Sequence, residues 1–256
     1  MNDLIVEKLR DIENEHAAKV LFAVESGSRA WGFPSQDSDY DVRFVYIQKP
    51  EWYLSIDEKR DVIEVPINER LDIHGWDIRK ALKLFRKSNP QLLEWLVSDI
   101  VYAEAFGFRT DMLDLKEHVF SAKVSMHHYL NMAKGNFRTY LQGERVNIKK
   151  YFYALRPILA CKWIETYHTT PPILFHELVD DLVREPELQH AIEELLRRKT
   201  AGEELSLERR VDVIHHYIEH EIQHLTMITG EAQAEHSDPT DMLDRLFRKY
   251  LLKVWG

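Results

Sequence analysis

Several kinds of residue are scarce in this chain, and each scarcity excludes a class of protein. Cys161 is the only cysteine among 256 residues, so an intramolecular disulfide and a thiolate metal cluster are both excluded. No uncharged run approaches the roughly 18 residues of a membrane span. The first residues, MNDLIVEKLRDIENEH, are charged and amphipathic rather than apolar like a signal peptide. We therefore expect a cytoplasmic protein with no membrane contact.

Basic residues are fewer than acidic ones, with 34 Lys and Arg against 43 Asp and Glu. The formal net charge of −9 argues against a protein that coats nucleic acid nonspecifically, because an acidic surface repels phosphates at long range. One segment departs from this average, since it holds seven basic residues and a single acid, Glu144. The seven are Lys134, Arg138, Arg145, Lys149, Lys150, Arg156 and Lys162. This segment is a candidate anion site.

The hydrophobic pattern divides the chain into an α/β part and a helical part. Residues 19–26, 41–48, 61–67 and 70–75 read as strands, and 77–87 as a helix with Asp77 at its cap. Beyond residue 106 the pattern is helical, near 110–119, 121–142, 147–168, 174–183, 187–200, 206–229 and 239–254. The pattern therefore predicts an α/β half over residues 1–106 and a helical part over 107–256.

Glycine is rare too, with nine in the chain, yet two fall in SGSRAWGFPSQDSDYD, residues 26–41. A strand that runs into Gly27 and Ser28 and then a short helix brings backbone N–H groups close to a phosphate, because glycine has no Cβ to block the approach. Asp39 and Asp41 are two residues apart and share one strand face. Carboxylates beside a phosphate cradle are typical of an Mg²⁺ site.

A third carboxylate from another strand usually completes such a site. Asp72 in RLDIHG is the best candidate, because alternation places it opposite the apolar residues of its strand. Asp77 and Glu64 are the alternatives. The stretch lacks the glycine pair of a dinucleotide fingerprint and the lysine of a Walker loop.

The same residues resemble a known family. GSRAWGFPSQDSDYDVR is similar to the signature of the DNA-polymerase-β-type nucleotidyltransferases. Together with GWDIRKAL, KSNPQLLEWL and KKYFYALRPILACKW, it resembles the RNA-repair-associated nucleotidyltransferase family over residues 20 to 175.

The resemblance implies an α+β fold, with a mixed-sheet nucleotidyltransferase head flanked by helices over residues 1–106. A helical domain over residues 107–256 would close over the nucleotide. Gly27 and Ser28 would bind the triphosphate of an NTP such as ATP, and Asp39 and Asp41 would hold Mg²⁺ or Mn²⁺. Asp72 would be the third carboxylate, as ligand or base. The reaction implied is two-metal transfer of a nucleoside monophosphate to an acceptor hydroxyl, on an RNA end or a protein, with release of pyrophosphate. The alternative is a nucleotide-binding module without turnover, associated with RNA repair or processing.

The basic helix adds predicted nucleotide contacts. Lys149, Tyr153 and Arg156 fall at i, i+4 and i+7 on one helical face, and lysine and arginine both bind phosphate. We include Lys150 and Ser38 among the predicted nucleotide-binding residues. The other interpretation is that these cations are solvated and paired with acids.

Two motifs near the C-terminus point to other chemistry. HEIQH, residues 220–224, matches the HExxH of zinc proteases but lacks a further downstream ligand motif, so we expect a solvent-facing helix. Arg210 and His215 have an RxxxxH spacing similar to that of HEPN-type ribonucleases, which is common on charged helices.

Overall fold

The computed structural model describes residues 1–65, 70–203, 205–231 and 238–256. The helices are α1 (Asn2–His16), α2 (Gly27–Ala30), α3 (Pro50–Tyr53), α4 (Ile78–Arg86), α5 (Pro90–Val97), α6 (Phe108–Asp114), α7 (Lys116–Val119), α8 (Ala122–Tyr140), α9 (Lys150–Tyr167), α10 (Phe175–Leu182), α11 (Pro186–Thr200), α12 (Asp212–Glu231) and α13 (Thr240–Trp255). The strands are β1 (Lys19–Glu25), β2 (Tyr40–Ile47), β3 (Val62–Glu64), β4 (Leu71–Asp77), β5 (Val101–Glu104), β6 (Arg145–Asn147) and β7 (Leu207–Arg209).

The chain forms two compact units. The first, here called the head, contains residues 1–30 and 39–119 together with helix α13. Its five strands lie in the order β3-β4-β2-β1-β5. Strand β2 is parallel to β4, whereas β1 is antiparallel to both β2 and β5, and β3 is antiparallel to β4. The predicted mixed sheet flanked by helices is confirmed.

The core of the head follows from the apolar residues of its strands and helices. Every residue of β1 after Lys19 is buried, as expected for a central strand of a sheet that is flanked by helices. Helix α1 places Ile5, Leu9 and Ile12 in this core, because the spacing of three and four residues puts them on one helical face. Helix α4 begins where the Asp77 carboxylate accepts a hydrogen bond from the backbone N–H of Arg79.

The second unit, here called the helical unit, contains residues 31–38 and 120–231. Helices α8 and α9 pack together, α10 packs against α9, and α12 packs against α8, α9 and α11. The segment 31–38 contributes Phe33, whose ring lies 5.0 Å from that of Phe152 and 5.3 Å from that of Phe175. These aromatic contacts explain why eight residues from the first third of the chain join the helices.

The structure differs from the sequence-based outline in three places. Helices α6, α7 and α13 belong to the head, although the predicted boundary at residue 106 places them with the helical domain. Helix α12 begins at Asp212 rather than 206, because β7 pairs with β6 as a two-stranded ribbon. The predicted strand 61–67 is observed as Val62–Glu64, and its residues 66 and 67 lie outside the described residues.

Within the described ranges, no helix has both the length and the apolar composition that crossing a bilayer requires.

Candidate functional site

The candidate site begins at the turn that follows β1. Gly27 has φ of +62° and starts the single turn of α2. A Cβ at this position would overlap Oδ2 of Asp41 and lie 3.1 Å from Cγ of Asp41. Glycine is therefore required twice here, by its left-handed backbone and by the close approach of a carboxylate. The backbone N–H of Ser26 donates to the carbonyl of Asp41 at 2.9 Å, which joins the turn to strand β2.

Strand pairing then brings a second carboxylate to the first. Strands β2 and β4 run in parallel with Asp41 directly beside Asp72, so both side chains project from the same sheet face. Each of these side chains is about 30% exposed. Of the three acids considered for the third position, Asp72 is the one that the sheet places next to Asp41.

Arg43 lies between the two carboxylates. Its Nη2 is 3.2 Å from Oδ1 of Asp41 and 2.7 Å from Oδ2 of Asp72, and its Nη1 donates to the carbonyl of Asp72 at 3.1 Å. Burial raises the pKa of Asp41; the positive charge of Arg43 lowers it, and the negative charges of Asp72 and Asp39 raise it. The neighbouring carboxylates therefore disfavour the ionised form of Asp41, and the positive charge of Arg43 favours it.

Asp39 is placed less firmly than Asp41. It is exposed and precedes the first residue of β2, and its backbone carbonyl accepts a hydrogen bond of 3.1 Å from Nε of Arg29. The guanidinium of Arg29 also lies 3.8 Å from the ring centroid of Tyr40. Arg29 therefore holds the backbone at the start of the strand, next to the acids.

Sequence reasoning missed Glu25, the last residue of β1. Its side chain is fully buried, its Oε1 accepts the backbone N–H of Asp41 at 2.8 Å, and its Oε2 accepts the hydroxyl of Tyr102. Burial raises the pKa of Glu25. A single acid in the otherwise apolar run VLFAVE was the signal that could have revealed it. Glu25 fixes the backbone from which Asp41 projects.

The two alternative acids have other partners. Asp77 is fully buried and caps α4, with its Oδ2 accepting the Tyr53 hydroxyl at 2.7 Å. Glu64 is half exposed on β3 and pairs with Arg60 and with His74. Neither carboxylate is in register with Asp41.

The fit of Mg²⁺ to these residues can be judged from the donor set. The described part of the chain contains no group of three or more histidine, cysteine, aspartate or glutamate side chains arranged to hold a metal. Asp41 and Asp72 do form an adjacent carboxylate pair with a guanidinium between them. Mg²⁺ typically takes one or two carboxylates and completes its shell with water and substrate phosphates, so this pair is a chemically suitable donor set.

The predicted residues of the basic helix all lie in the helical unit. Lys149 is the exposed N-cap residue of α9, and Nζ of Lys150 lies 4.4 Å and 4.9 Å from the rings of Tyr140 and Tyr153. Arg156 is only 2% exposed: its guanidinium lies over the ring of Trp31 at 4.7 Å and donates to the carbonyl of Ile173 at 3.2 Å. Arg156 is thus an interior residue rather than a surface one, and the nucleotide contacts of this helix stay a prediction.

Ser38 shapes the loop ahead of the acids. Its Oγ accepts the backbone N–H of Ser35 at 2.9 Å and lies 2.9 Å from Oγ of Ser35. These bonds stabilise the SQDS turn, and binding of a nucleotide by Ser38 stays a prediction.

The side chains of the HEIQH segment point to different partners. Glu221 is buried and pairs with Lys162 at 2.9 Å, His224 pairs with Glu165 at 2.8 Å, and His220 is 75% exposed. In a zinc protease both histidines bind one metal ion and the glutamate acts as a base beside it. Because Glu221 and His224 are paired with other side chains here, these contacts argue for a structural helix.

Arg210 and His215 of the RxxxxH pair also have separate partners. Nε of Arg210 lies 2.6 Å from Oδ1 of Asp212. His215 is buried against Phe137, with ring centroids 5.0 Å apart, and burial lowers the pKa of His215. The histidine is therefore a core residue in this helix.

Comparison with known proteins gives three findings. A family model described as "RlaP: RNA repair pathway DNA polymerase beta family" matches residues 1–249. The chain is 55% identical over 255 residues to a protein of Bacillus subtilis (strain 168) described as "Uncharacterized protein YcgL", covering all of this chain and 98% of that protein. A crystal structure of a nucleotidyltransferase-like protein from Exiguobacterium sibiricum 255-15 is similar with a TM-score of 0.35 and 15% identity, covering 89% of this chain and 77% of the other.

Proposed function

Because the chain belongs to the RNA repair pathway DNA polymerase β family, a family of polymerase-β-like nucleotidyltransferases, we propose that it transfers a nucleoside monophosphate from an NTP to an acceptor hydroxyl. In this reaction the acceptor oxygen forms a bond to the α-phosphorus, the bond to the β-phosphate oxygen breaks, and pyrophosphate leaves. The acceptor is an RNA end or a protein. The two-metal form of the reaction is part of the proposal.

One observation carries this proposal: the carboxylates of Asp41 and Asp72 lie side by side on one sheet face, and that of Asp41 lies against the backbone of Gly27. Because Gly27 has no Cβ, the Asp41 carboxylate can lie against the turn, and the backbone N–H groups of that turn are donors for a phosphate. Paired carboxylates at the same place supply hard oxygen ligands. Glycine turn and acids together support phosphate chemistry more strongly than either feature alone.

The residues have separate tasks in the proposed reaction. Asp39, Asp41 and Asp72 would hold Mg²⁺ or Mn²⁺, which when bound neutralises charge on the phosphate oxygens. Asp72 would accept the proton of the acceptor hydroxyl at Oδ1, because its Oδ2 already accepts a hydrogen bond from Arg43. Arg43 orients the two carboxylates through its bonds to both. Glu25 holds the backbone N–H of Asp41 and so fixes the direction of that side chain.

The test uses labelled NTPs with Mg²⁺ or Mn²⁺ and a panel of acceptors that contains RNA 3′ ends and proteins. We expect wild type to transfer label and Asp41→Asn and Asp72→Asn to lose at least about 100-fold, as is common when electrostatic groups at a reacting centre are removed. Glu64→Gln is the matched control, because Glu64 is a half-exposed acid on the neighbouring strand β3 with partners of its own.

Two outcomes would contradict the proposal. Undiminished transfer by Asp41→Asn would show that the carboxylate pair is not the reacting centre. Binding of NTP by the wild type without transfer to any acceptor would favour the alternative function, a nucleotide-binding module without turnover.

A further inference from the structure

A groove of about 230 Å³ lies between helices α4 and α13, which both belong to the head. Helix α4 contributes Arg79, Leu82, Lys83 and Arg86 to its lining. These positions are three and four residues apart, so they occupy one face of the helix. Within the described residues, the groove shares no lining residue with the carboxylate pair of the candidate site. Its composition therefore needs an explanation of its own.

The floor of the groove, meaning the less exposed part of its lining, is apolar. Leu82 and Leu243 are buried there, and Phe247 of α13 is half-buried. The ring of Phe247 packs edge-on against that of Tyr53, with ring centroids 5.0 Å apart. An apolar group that covers this floor would displace water from apolar surface, which the hydrophobic effect favours.

The rim of the groove is positive, although the chain as a whole has a formal net charge of −9. Of the described residues that line the groove, one is acidic, Asp244, and three are basic. The basic three are Arg79, Lys83 and Arg86. Because a local excess of cations attracts anions to a surface, the groove combines an apolar floor with a rim that favours negative charge.

Two of the three cations are oriented by neighbouring side chains. The guanidinium of Arg79 lies 4.7 Å from the ring centroid of Tyr53. Its Nε is 3.9 Å from Oδ1 of Asp77, which is longer than a hydrogen bond. Arg86 donates a hydrogen bond of 2.8 Å to the hydroxyl of Thr240. Contacts with a ring and with a hydroxyl orient a guanidinium without neutralising it, and an oriented guanidinium loses less freedom when it binds an anion.

Lys83 lies between the two arginines along α4 and has no such contact. It is exposed and makes neither a hydrogen bond nor an ion pair with any other described residue. Asp244, on the α13 side of the groove, is also exposed and has no ion pair within the described part of the chain. The groove thus holds an ammonium group whose position beside an anion is open.

We propose that the groove between α4 and α13 binds a small phosphate monoester that carries an apolar body. The body covers the floor, and the phosphate binds Lys83 with Arg79 and Arg86 on either side. A dianionic phosphate suits three cations and one acid better than a carboxylate, which has a single charge. The body is limited to about one or two rings, because about 230 Å³ is less than the roughly 300–1,000 Å³ of sites for drug-sized ligands. This binding uses neither a metal nor the carboxylate pair, so it does not depend on the transfer reaction.

The experiment measures binding of naphthyl phosphate to the full chain by calorimetry, in EDTA and at low salt. EDTA removes the divalent cations with which the carboxylate pair would bind a phosphate, so binding under these conditions reports on the groove. We expect saturable binding at one site. Naphthol lacks the phosphate and inorganic phosphate lacks the apolar body, so each should bind at least about tenfold more weakly.

Two variants at exposed positions should change the affinity for naphthyl phosphate in opposite directions. Lys83→Met removes a charge-assisted hydrogen bond and should weaken binding about tenfold. Asp244→Asn removes the acid that repels the phosphate and should tighten binding about two- to fivefold, a gain that partial unfolding cannot produce. Lys87→Met is the matched control, because Lys87 is an exposed lysine at the end of α4 that does not line the groove; its affinity should stay within about twofold of wild type.

Several results would overturn the inference. The wild type might show no saturable binding of naphthyl phosphate, or bind naphthol or inorganic phosphate as tightly. Unchanged affinity in Lys83→Met, equal losses in Lys83→Met and Lys87→Met, or no gain in Asp244→Asn would each refute the site. If Lys83→Met does not fold, Asp244→Asn decides alone. A failure here leaves the metal-dependent transfer by Asp41 and Asp72 to be judged by its own assay, which contains the NTP and divalent cations that this experiment omits.

Discussion

Replacement of Gly27 by alanine tests the closeness of the turn to the carboxylate. The new Cβ would overlap Oδ2 of Asp41 and lie 3.1 Å from its Cγ, whereas carbon atoms pack at about 3.5–4.0 Å. The carboxylate must therefore move by roughly 1 Å. Gly107 is a matched control, since its φ is +71° and no atom lies within 4 Å of a Cβ built there.

Both variants place alanine in the left-handed backbone region, but only Gly27→Ala also displaces a neighbouring side chain. Alanine in the left-handed region costs about 1–2 kcal/mol, so both should lose about that much free energy of unfolding in urea. A displacement of about 1 Å at a reacting centre can lower a rate about 100-fold. We therefore expect Gly27→Ala to transfer nucleotide about 100-fold more slowly than wild type, and Gly107→Ala to keep its rate when corrected for the folded fraction.

The reasoning fails if Gly27→Ala and Gly107→Ala have equal transfer rates. It also fails if a crystal structure of Gly27→Ala shows the Asp41 carboxylate unmoved. A rate that falls only in proportion to the folded fraction would assign Gly27 a purely structural role.

Three further predictions concern stability. Without divalent cations, Arg43→Gln should lose about 1 kcal/mol of unfolding free energy, because Asp41 and Asp72 then repel each other. Addition of Mg²⁺ should restore part of the lost melting temperature. A variant as stable as wild type would contradict this. Burial raises the pKa of Asp77 to about 6 from 3.8, so the folded state binds this proton more tightly than the unfolded state does. Protonation of Asp77 therefore stabilises the fold fully below about pH 4, and this contribution is lost as the pH rises through 6. Asp77→Asn should remove roughly 3 kcal/mol of this dependence, measured by urea unfolding between pH 4 and 7; an unchanged pH profile would refute it. Gly135→Ala in α8, where a Cβ meets no atom within 4 Å, should stabilise by about 0.5–1 kcal/mol, and a loss of stability would contradict it.

The acids of the head show which assignments can be made from local sequence and which need the strand pairing. The spacing of Asp39 and Asp41 predicts that they share one strand face, because side chains alternate along a strand, but β2 begins at Tyr40 and only Asp41 lies on it. The choice among Asp72, Asp77 and Glu64 could not be made in that way. It depends on which strands pair and in what register, and a shift of one residue would turn Asp72 to the other face.

Helix positions were predicted better than helix partners. The periodicity of residues 239–254 indicated a helix, and α13 is observed there. Its attachment to the head comes from contacts such as Phe247 with Tyr53 and Tyr250 with Phe108. These partners are distant in sequence, and periodicity shows that a face is apolar without showing what covers it.

The missed elements were short or isolated. Strand β7 has three residues, too few for an alternating pattern to be distinguished from the start of a helix. Lys199 has the sequence context of a solvated helix end, and only packing of Phe33 and α11 reveals that it is buried.

Motifs, strand periods and the order of elements are local properties, and the amino-acid sequence was enough to predict the mixed-sheet head and the glycine turn after its first strand. Tertiary contacts selected Asp72 as the neighbour of Asp41, placed Arg43 between them and Glu25 beneath them, and buried Arg156 and Lys199. The physical reason is that burial and strand register depend on residues far apart in the chain, whose meeting is determined by the packing of the whole fold.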